Sequence, residues 1–332
     1  MIAMKSNLSF IKKPELFNAL KSFEGQFYAV IDVKLKPHLP EWMILSEQVF
    51  WISDPEGSKS LKTFGEIAEF FIEKGIHRES TLIAIGGGAT TDLAGFVAAT
   101  ILRGINWISV PTTLLAQVDG SIGGKVAINS THGKNLIGAF HQPQMVYICH
   151  EFLSTLSEVE MTSGKGEILK YGFLSKKISD LILGKAPLEV IAFECAQFKT
   201  DIVEKDFKEN GDRILLNLGH TLGHAFESSL KIPHGLSVAM GVYYLLSLFS
   251  QKEELNIWNQ LAVSLSMPLP ELSLQHYPGF SAEKLKKYLV QDKKKNQDQI
   301  KLVMVKAIGK CETLTMKMED FMSKIEAYEA FH

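Results

Sequence analysis

Short apolar segments alternate with helical patterns through the first 150 residues, and this alternation limits the possible folds more than any other feature. Five segments are typical of buried strands: QFYAVIDV (26–33), VFWIS (49–53), TLIAI (81–85), NWISV (106–110) and QMVYI (144–148). Apolar positions 64, 67, 68 and 71 follow the spacing i, i+3, i+4, i+7 of a helix. Strands that alternate with helices build βαβ units, so we predict an α/β region with a mostly parallel, Rossmann-like sheet.

The pattern changes after about residue 150. Long amphipathic runs dominate to residue 265, and one strand-like segment, IKLVMV (300–305), follows them. The chain has 332 residues, which corresponds to roughly two domains of about 150 residues each. We therefore predict an α/β domain over residues 1–150 and a mainly α-helical domain over residues 151–332.

Composition excludes several classes of protein. The chain is 46% hydrophobic, so it can form a core, and its net charge of −2 gives no general attraction to nucleic acid or to anionic membranes. Cys149, Cys195 and Cys311 form no C-x-x-C pair, which fits a reducing cytosol. The charge-free stretch 235–250 is shorter than the ~20 residues of a membrane span, so we expect a buried helix and a cytoplasmic protein.

Three consecutive glycines, Gly86-Gly87-Gly88, follow the strand 81–85 and precede a helical stretch that we place from Asp92. Glycine allows the backbone to approach a ligand closely, and the free N–H groups of a helix start favour an anion such as a pyrophosphate. The dinucleotide fingerprint G-x-G-x-x-G is absent. A nucleotide site and a turn without a ligand are therefore both open at this point.

Three histidines lie close together in the chain. His220 and His224 are spaced i, i+4, which places them on one face of a helix, and His234 follows ten residues later. Imidazoles at such spacing commonly bind a metal together with a carboxylate, for which Glu167 is a candidate. Histidines with a purely structural role and an exposed Glu167 are the alternatives, and the third histidine favours the metal site.

Cationic and amide side chains are concentrated around these motifs, namely Lys125, Lys134, Asn135, Lys170, Lys199, Arg213 and Asn217. Taken one at a time, each charge is expected to be solvated at the surface. Lys125 and Lys134 lie beside glycine-rich turns, which makes them better candidates for anion binding. A metal, a nucleotide and several cations together indicate an enzyme that acts on a small phosphorylated acid.

At these residues the sequence resembles the 3-dehydroquinate synthase family of the sugar phosphate cyclase superfamily. The segments that carry the resemblance run from about residue 55 to residue 310: PEGSKSL, GGGATTDLAGFVAATILRGINWISVPTTLLAQVDGSIGGKVAINSTHGKNLIGAFHQP, SGKGEILKYG, RILLNLGHTLGHA, and DKK followed by LVMVKAIG. The resemblance implies the second step of the shikimate pathway, in which 3-deoxy-D-arabino-heptulosonate 7-phosphate becomes 3-dehydroquinate and phosphate. It implies oxidation, phosphate elimination, reduction, ring opening and aldol closure, with NAD needed but not consumed.

The resemblance also implies a role for individual residues. It implies that Zn²⁺ or Co²⁺ is bound by Glu167, His220 and His234, which replaces the pairing of His220 with His224 that spacing alone favours. The implied NAD pocket consists of Glu56, Lys59, Gly87, Gly88, Asp92, Thr112, Thr113, Asp119 and Lys134. The implied substrate contacts are Lys125, Asn135, Lys170, Lys199, Arg213, Asn217 and one lysine of DKK, for which Lys293 is favoured and Lys294 is the alternative.

Two further residues complete the implied active site. His224 is expected to contact substrate and to assist proton transfer. Arg103 matches an arginine that the family lends to the neighbouring subunit, so the resemblance implies a homodimer with shared active sites. We expect a small-molecule sugar phosphate as the substrate, and neither a nucleic acid nor a membrane as a partner.

Three positions depart from the family pattern. Thr91 stands where the family usually has glycine, Gly120 where it usually has serine, and Leu236 where it usually has glutamate. A carboxylate at the last position could orient a metal-binding imidazole, so its replacement raises the question of how His234 is held.

Three alternative functions remain. Another sugar phosphate cyclase would be expected to change the cluster of Lys199, Arg213, Asn217 and His224, which here keeps the dehydroquinate-type pattern. A metal-dependent alcohol or glycerol dehydrogenase would produce NADH and would not need the lysine and arginine set. A non-catalytic NAD-binding protein would not need the three metal ligands.

Overall fold

The computed structural model describes residues 7–23, 27–268, 285, 288–289 and 298–331. The chain divides into two compact units. The first contains the chain up to Leu156 together with Lys199–Lys208, and the second contains Ser157–Phe198 and the chain from Glu209 onward.

The first unit is built on a parallel sheet. Its strands are β1 (Asn7–Phe10), β2 (Phe27–Asp32), β3 (Val49–Ile52), β4 (Thr81–Gly86), β5 (Asn106–Pro111), β6 (Lys125–Ser130), β7 (Gly133–Phe140) and β8 (Met145–Ile148). Six of them form one sheet in the order β1-β8-β5-β4-β2-β3, and all of its pairs are parallel. The parallel sheet that the sequence predicts is therefore confirmed.

Helices cover both faces of this sheet, because the central strands are apolar on both sides. The helices are α1 (Lys13–Lys21), α2 (Glu41–Ile44), α3 (Pro55–Ser58), α4 (Leu61–Glu73) and α5 (Gly88–Thr100). On β4, Leu82 and Ala84 belong to the core that α4 and α5 complete, whereas Ile83 and Ile85 belong to the core that α1 and α2 complete. The alternation of side chains along a strand separates the two cores.

Three features of the first unit differ from the sequence-based expectation. The strand β1 and the antiparallel hairpin of β6 and β7 have no counterpart in the predicted elements, and α5 begins at Gly88 rather than near Asp92. Only Val126 and Ile128 of β6 are fully buried apolar residues, and β7 is largely exposed. The hydrophobic alternation of the hairpin is therefore too short to reveal strands.

The second unit is mainly helical, as predicted. Its helices are α6 (Glu158–Leu174), α7 (Lys176–Leu183), α8 (Leu188–Lys205), α9 (His220–Leu230), α10 (His234–Leu248), α11 (Lys252–Ser264) and α12 (Met318–Phe331), and α8 continues into the first unit from Lys199. The predicted strand 300–305 lies in β9 (Gln299–Ala307), which pairs with β10 (Lys310–Lys317). The expected buried helix is α10. No helix among the described residues combines the length and the apolar character needed to cross a bilayer.

Glycines allow α6, α9 and α10 to pack with their backbones in contact. A Cβ atom on Gly166 of α6 would overlap the carbonyl oxygen of Gly235 of α10, and one on Gly241 of α10 would overlap the carbonyl oxygen of Gly219 before α9. Gly166 precedes Glu167, and Gly235 follows His234. The close approach of these backbones therefore brings the candidate metal ligands together.

We expect Gly166→Ala to lower the free energy of unfolding by about 3 kcal/mol, because the added methyl must push α6 and α10 apart. Gly65→Ala is the matched control, since Gly65 is also inside a helix and a Cβ there meets no atom within 4 Å. The control is expected to keep or slightly raise stability through its higher helix propensity. Equal unfolding free energies for the two variants in urea would contradict this packing argument.

Candidate functional site

Three potential metal ligands lie together in the second unit. Glu167 is on α6, His220 is the first residue of α9 and His234 is the first residue of α10. Glu167 Oε1 lies 3.2 Å from His234 Nε2 and 3.6 Å from His220 Nε2. The carboxylate is buried, with 1% of Glu167 exposed, so the exposed alternative considered from the sequence is wrong.

Both imidazoles are oriented through their second ring nitrogen. His220 Nδ1 lies 3.2 Å from the backbone oxygen of Leu218, and His234 Nδ1 lies 2.8 Å from Glu227 Oε2. When Nδ1 carries the proton, it donates to these oxygens and the lone pair of Nε2 faces Glu167. Neither the i, i+4 pairing nor the resemblance pointed to Glu227.

The spacing of the three groups fits a divalent metal. An ion about 2.1 Å from each ligand in tetrahedral geometry separates its ligand atoms by about 3.4 Å. The ligand atoms of Glu167, His220 and His234 all lie within 4.8 Å of one another. Two imidazoles and one carboxylate form the donor set of a catalytic site that keeps a position open for water or substrate.

A fourth ionisable group at this position is Lys170. Its Nζ lies 2.5 Å from Glu167 Oε2, and the side chain is fully buried. Burial alone would raise the pKa of Glu167, but Lys170 and the two histidines reverse this effect and hold that pKa well below its usual range. Burial, assisted by Lys170, lowers the pKa of His220 despite the nearby carboxylate, so this imidazole is neutral and can bind a metal.

Three more predicted residues of the second unit, His224, Arg213 and Asn217, lie in or just before α9. His224 is exposed, and its ring centroid lies 5.3 Å from that of His220 and 5.8 Å from that of His234. Arg213 is buried, and Asn217 Nδ2 donates to Glu209 Oε1 at 2.7 Å. Glu209 was not among the predicted residues, because one acid among several charges of its segment carries no distinguishing pattern.

Burial corrects one expectation from the sequence. Lys170, Lys199 and Arg213 were each expected, when taken alone, to be solvated, but all three are less than 10% exposed. A charged side chain is seldom fully buried unless it is paired or has a functional role.

In the first unit, the glycine turn and the predicted threonines meet at the carboxyl ends of two adjacent strands. Gly86 pairs with Pro111, so Gly87 and Gly88 lie beside Thr112 and Thr113. A Cβ atom on Gly87 would lie 2.9 Å from the methyl group of Thr113, whereas a Cβ atom on Gly88 would meet no atom within 4 Å. This edge of a parallel sheet, with the N–H groups of α5 above it, can accept an anionic ligand.

A polar network joins the predicted cofactor residues. Lys59 Nζ donates to Asp92 Oδ2 at 2.8 Å and to Asn135 Oδ1 at 2.6 Å. Asn129 donates through Nδ2 to Glu56 Oε1 at 3.1 Å and accepts from the backbone of Asn135 at 3.0 Å. Asn129 was not predicted, and Asn135 joins the residues implied for NAD although the resemblance assigns it to substrate.

Asp119 lies in a π-helical turn, Ala116–Gly120, that follows β5. The buried Gln117 anchors this turn through its amide, which donates to the backbone oxygens of Pro111 and Cys149. Lys199 Nζ donates to the Asp119 carboxylate, and to its backbone oxygen at 2.8 Å. The structure therefore pairs Lys199, which was predicted to contact substrate, with Asp119, which was predicted to contact NAD.

The other predicted residues are scattered over the first unit or lie outside the described chain. Lys125 and Lys134 are exposed at the starts of β6 and β7, directly after Gly124 and Gly133 as the sequence predicts. Arg103 is exposed at a left-handed bend, with φ of 68°. Lys293 and Lys294 lie outside the described residues. Of the departures from the family pattern, Thr91 is buried and donates to the backbone oxygen of Gly88 at 3.1 Å.

The sequence comparisons with known proteins agree on one family. A sequence model described as 3-dehydroquinate synthase N-terminal matches residues 49–163, and one described as 3-dehydroquinate synthase C-terminal matches residues 164–295. The 3-dehydroquinate synthase of Staphylococcus epidermidis is 34% identical to this chain, over 98% of this chain and 97% of the relative.

Two solved structures share the fold. A 2-deoxy-scyllo-inosose synthase complexed with carbaglucose-6-phosphate, NAD⁺ and Co²⁺ superimposes with a TM-score of 0.80 and 23% identity, over 96% of this chain and 95% of that chain. A 2-epi-5-epi-valiolone synthase from Streptomyces hygroscopicus with NAD⁺ and Zn²⁺ bound superimposes with a TM-score of 0.83 and 20% identity, over 98% and 96%.

We expect the pH dependence of stability to report the Asp92 carboxyl. Burial raises the pKa of Asp92 to about 6 despite the attraction of Lys59, so the folded chain holds this proton more tightly than the unfolded chain. The corresponding stability is present below about pH 4 and is lost as the pH rises through about 6. Relative to the Asp92→Asn variant, the native chain is expected to lose about 2 kcal/mol of unfolding free energy from pH 4 to pH 7. Urea titrations at several pH values measure it, and a difference that stays constant or rises would contradict the assignment.

Proposed function

Because this chain belongs to the 3-dehydroquinate synthase family, we propose that it converts 3-deoxy-D-arabino-heptulosonate 7-phosphate to 3-dehydroquinate and phosphate. By this membership it is an enzyme, a carbon–oxygen lyase that acts on a phosphate ester. The observation that carries the proposal is the group of Glu167, His220 and His234, in which the carboxylate is buried and the buried Lys170 lies beside it.

Two cofactors follow from this proposal. Zn²⁺ or Co²⁺ held by Glu167, His220 and His234 would polarise a substrate oxygen and make the adjacent C–H bond more acidic. NAD, held by the first unit, would take a hydride from the ring alcohol and return it later, so that none is consumed. In support, the two superimposed cyclases contain NAD⁺ and one of these metals.

The residues of the chain itself bind and orient the sugar phosphate. We assign Lys125, Lys170, Lys199 and Arg213 to its phosphate and carboxylate, together with the amides of Asn135 and Asn217 and one lysine of 293–294. The planar guanidinium of Arg213 can bind two oxygens of one anion at once. Fixing both ends of the substrate aligns the reacting carbon and lowers the entropic cost of the reaction.

His224 is the proposed proton carrier. It is the exposed member of the histidine group, and its ring lies within 6 Å of both imidazoles that face Glu167. Histidine titrates near neutral pH, so it can accept a proton from a substrate hydroxyl or return one to a leaving group. In this proposal the domain of residues 1–150 binds NAD, and residues 151–332 bind the metal and much of the substrate.

We expect the metal-loaded protein with NAD to release phosphate from 3-deoxy-D-arabino-heptulosonate 7-phosphate without net formation of NADH. Phosphate release and NADH absorbance, followed together, measure both quantities. Glu167→Ala is expected to lose turnover and to keep NAD binding, since NAD is assigned to the first unit. Steady NADH production from simple polyols without phosphate release would instead identify a dehydrogenase. Turnover of a different sugar phosphate only would identify another cyclase.

We also propose a homodimer in which Arg103 enters the active site of the partner. Support comes from the backbone, because Leu102 and Arg103 have φ of 51° and 68°. Left-handed conformations in residues other than glycine cost about 1 kcal/mol each and are concentrated at functional sites. The exposed arginine is thus presented on a strained bend rather than on a relaxed turn.

Subunit mixing tests this shared site. Arg103→Ala and Glu167→Ala homodimers are each expected to be inactive, since every site lacks one essential residue. Reassociation of an equal mixture is expected to restore about a quarter of the native activity, because half of the dimers are mixed and each has one intact site. Native mass spectrometry gives the fraction of mixed dimers. No recovery in a mixture that contains them would contradict a shared site.

A further inference from the structure

We infer that Glu227 is a positioning residue, whose carboxylate holds the His234 imidazole in the orientation and tautomer that bind the metal. The inference rests on the proposed metal site and adds a residue that is not one of its ligands. It also answers how His234 is held when Leu236 replaces the acidic residue expected two positions after it. Leu236 is 3% exposed and carries no polar side-chain atom, so it cannot orient the ring.

The geometry of the His234 ring carries the inference. Nδ1 lies 2.8 Å from Glu227 Oε2 on one side, and Nε2 lies 3.2 Å from Glu167 Oε1 on the other. A carboxylate is an acceptor only, so Glu227 fixes the proton on Nδ1 when His234 is neutral. The Nε2 lone pair is then directed to the ligand group, and the negative partner increases its basicity.

His220 offers a natural comparison within the same site. Its Nδ1 is next to a backbone oxygen, that of Leu218, at 3.2 Å. That contact is set by the backbone at the start of α9 and persists in any side-chain variant. His234, in contrast, depends on a side chain from another helix, and a single substitution can remove that support.

The fold makes Glu227 suitable for this role. It lies seven residues after His220 on α9, about two helical turns away and on the same face. The contact of Gly241 with the backbone of Gly219 keeps α9 close to α10, where His234 begins the helix. One helix therefore supplies a metal ligand at its first residue and the carboxylate that orients the next ligand.

A plain ion pair is the alternative role for Glu227. The two side chains are partly buried, with 32% of His234 and 19% of Glu227 exposed. A pair of that kind would contribute little to stability and nothing to metal binding. The two roles therefore differ in metal affinity, which can be measured without substrate.

The test uses the full-length chain, stripped of metal with a chelator and titrated with Zn²⁺ or Co²⁺ against a competing indicator. We expect the metal Kd to increase about 10-fold in Glu227→Gln, which keeps an oxygen acceptor but loses the charge. We expect an increase of about 100-fold in Glu227→Ala, which loses both. The visible absorption of bound Co²⁺ is expected to shift in both variants. Glu253→Gln is the matched control, since Glu253 is exposed on α11, and its Kd and spectrum are expected to match the native chain.

Thermal unfolding of the metal-free proteins separates positioning from a structural role. Weaker metal binding with unchanged stability of the metal-free chain supports the inference. An unchanged Kd and Co²⁺ spectrum in Glu227→Ala would overturn it. A loss of metal affinity that is fully explained by unfolding of the metal-free variant would overturn it as well. Failure of the native chain to bind either metal would overturn the proposed cofactor as well, whereas normal binding by the Glu227 variants would overturn only the role of Glu227.

Discussion

The structure of the second unit depends on a fully buried carboxylate that is compensated by its neighbours. Glu167 has Lys170 on one oxygen and the two histidines on the other. An uncompensated charge at this depth would cost several kcal/mol, so the helices that carry these groups must be placed accurately. The glycine contacts between α6, α9 and α10 provide that placement, because they let the backbones touch where any side chain would separate them.

In the first unit, charged and polar groups are paired at the edge of a parallel sheet. The carboxyl ends of β4 and β5 bring two glycines and two threonines together, and the N-terminus of α5 adds free N–H groups. Around this edge the polar groups satisfy one another, with Lys59 between Asp92 and Asn135, and Lys199 against Asp119. Such networks keep charged groups in fixed positions, which is the arrangement that an ionic substrate or cofactor requires.

Local patterns in the sequence predicted the regular parts of the molecule. Apolar segments of strand length predicted the central strands of the sheet, and the charge-free stretch 235–250 corresponds to most of α10. The hairpin of β6 and β7 was missed, because β6 has only two buried apolar residues, Val126 and Ile128, and most of β7 is exposed. Glu209, Asn129 and Glu227 were missed for a different reason. Each is an ordinary polar residue in the sequence, and only its partner in the fold distinguishes it.

The sequence by itself thus determined the fold class, the family and the types of group available for chemistry, because periodicity and motif residues are local properties of the chain. The tertiary structure alone decided which histidine nitrogen faces Glu167, and that Lys170 and Arg213 are buried rather than solvated. It also decided that the His234 ring is held by Glu227, from a neighbouring helix. These facts depend on distances between helices, and those distances are set by packing contacts between residues far apart in the sequence.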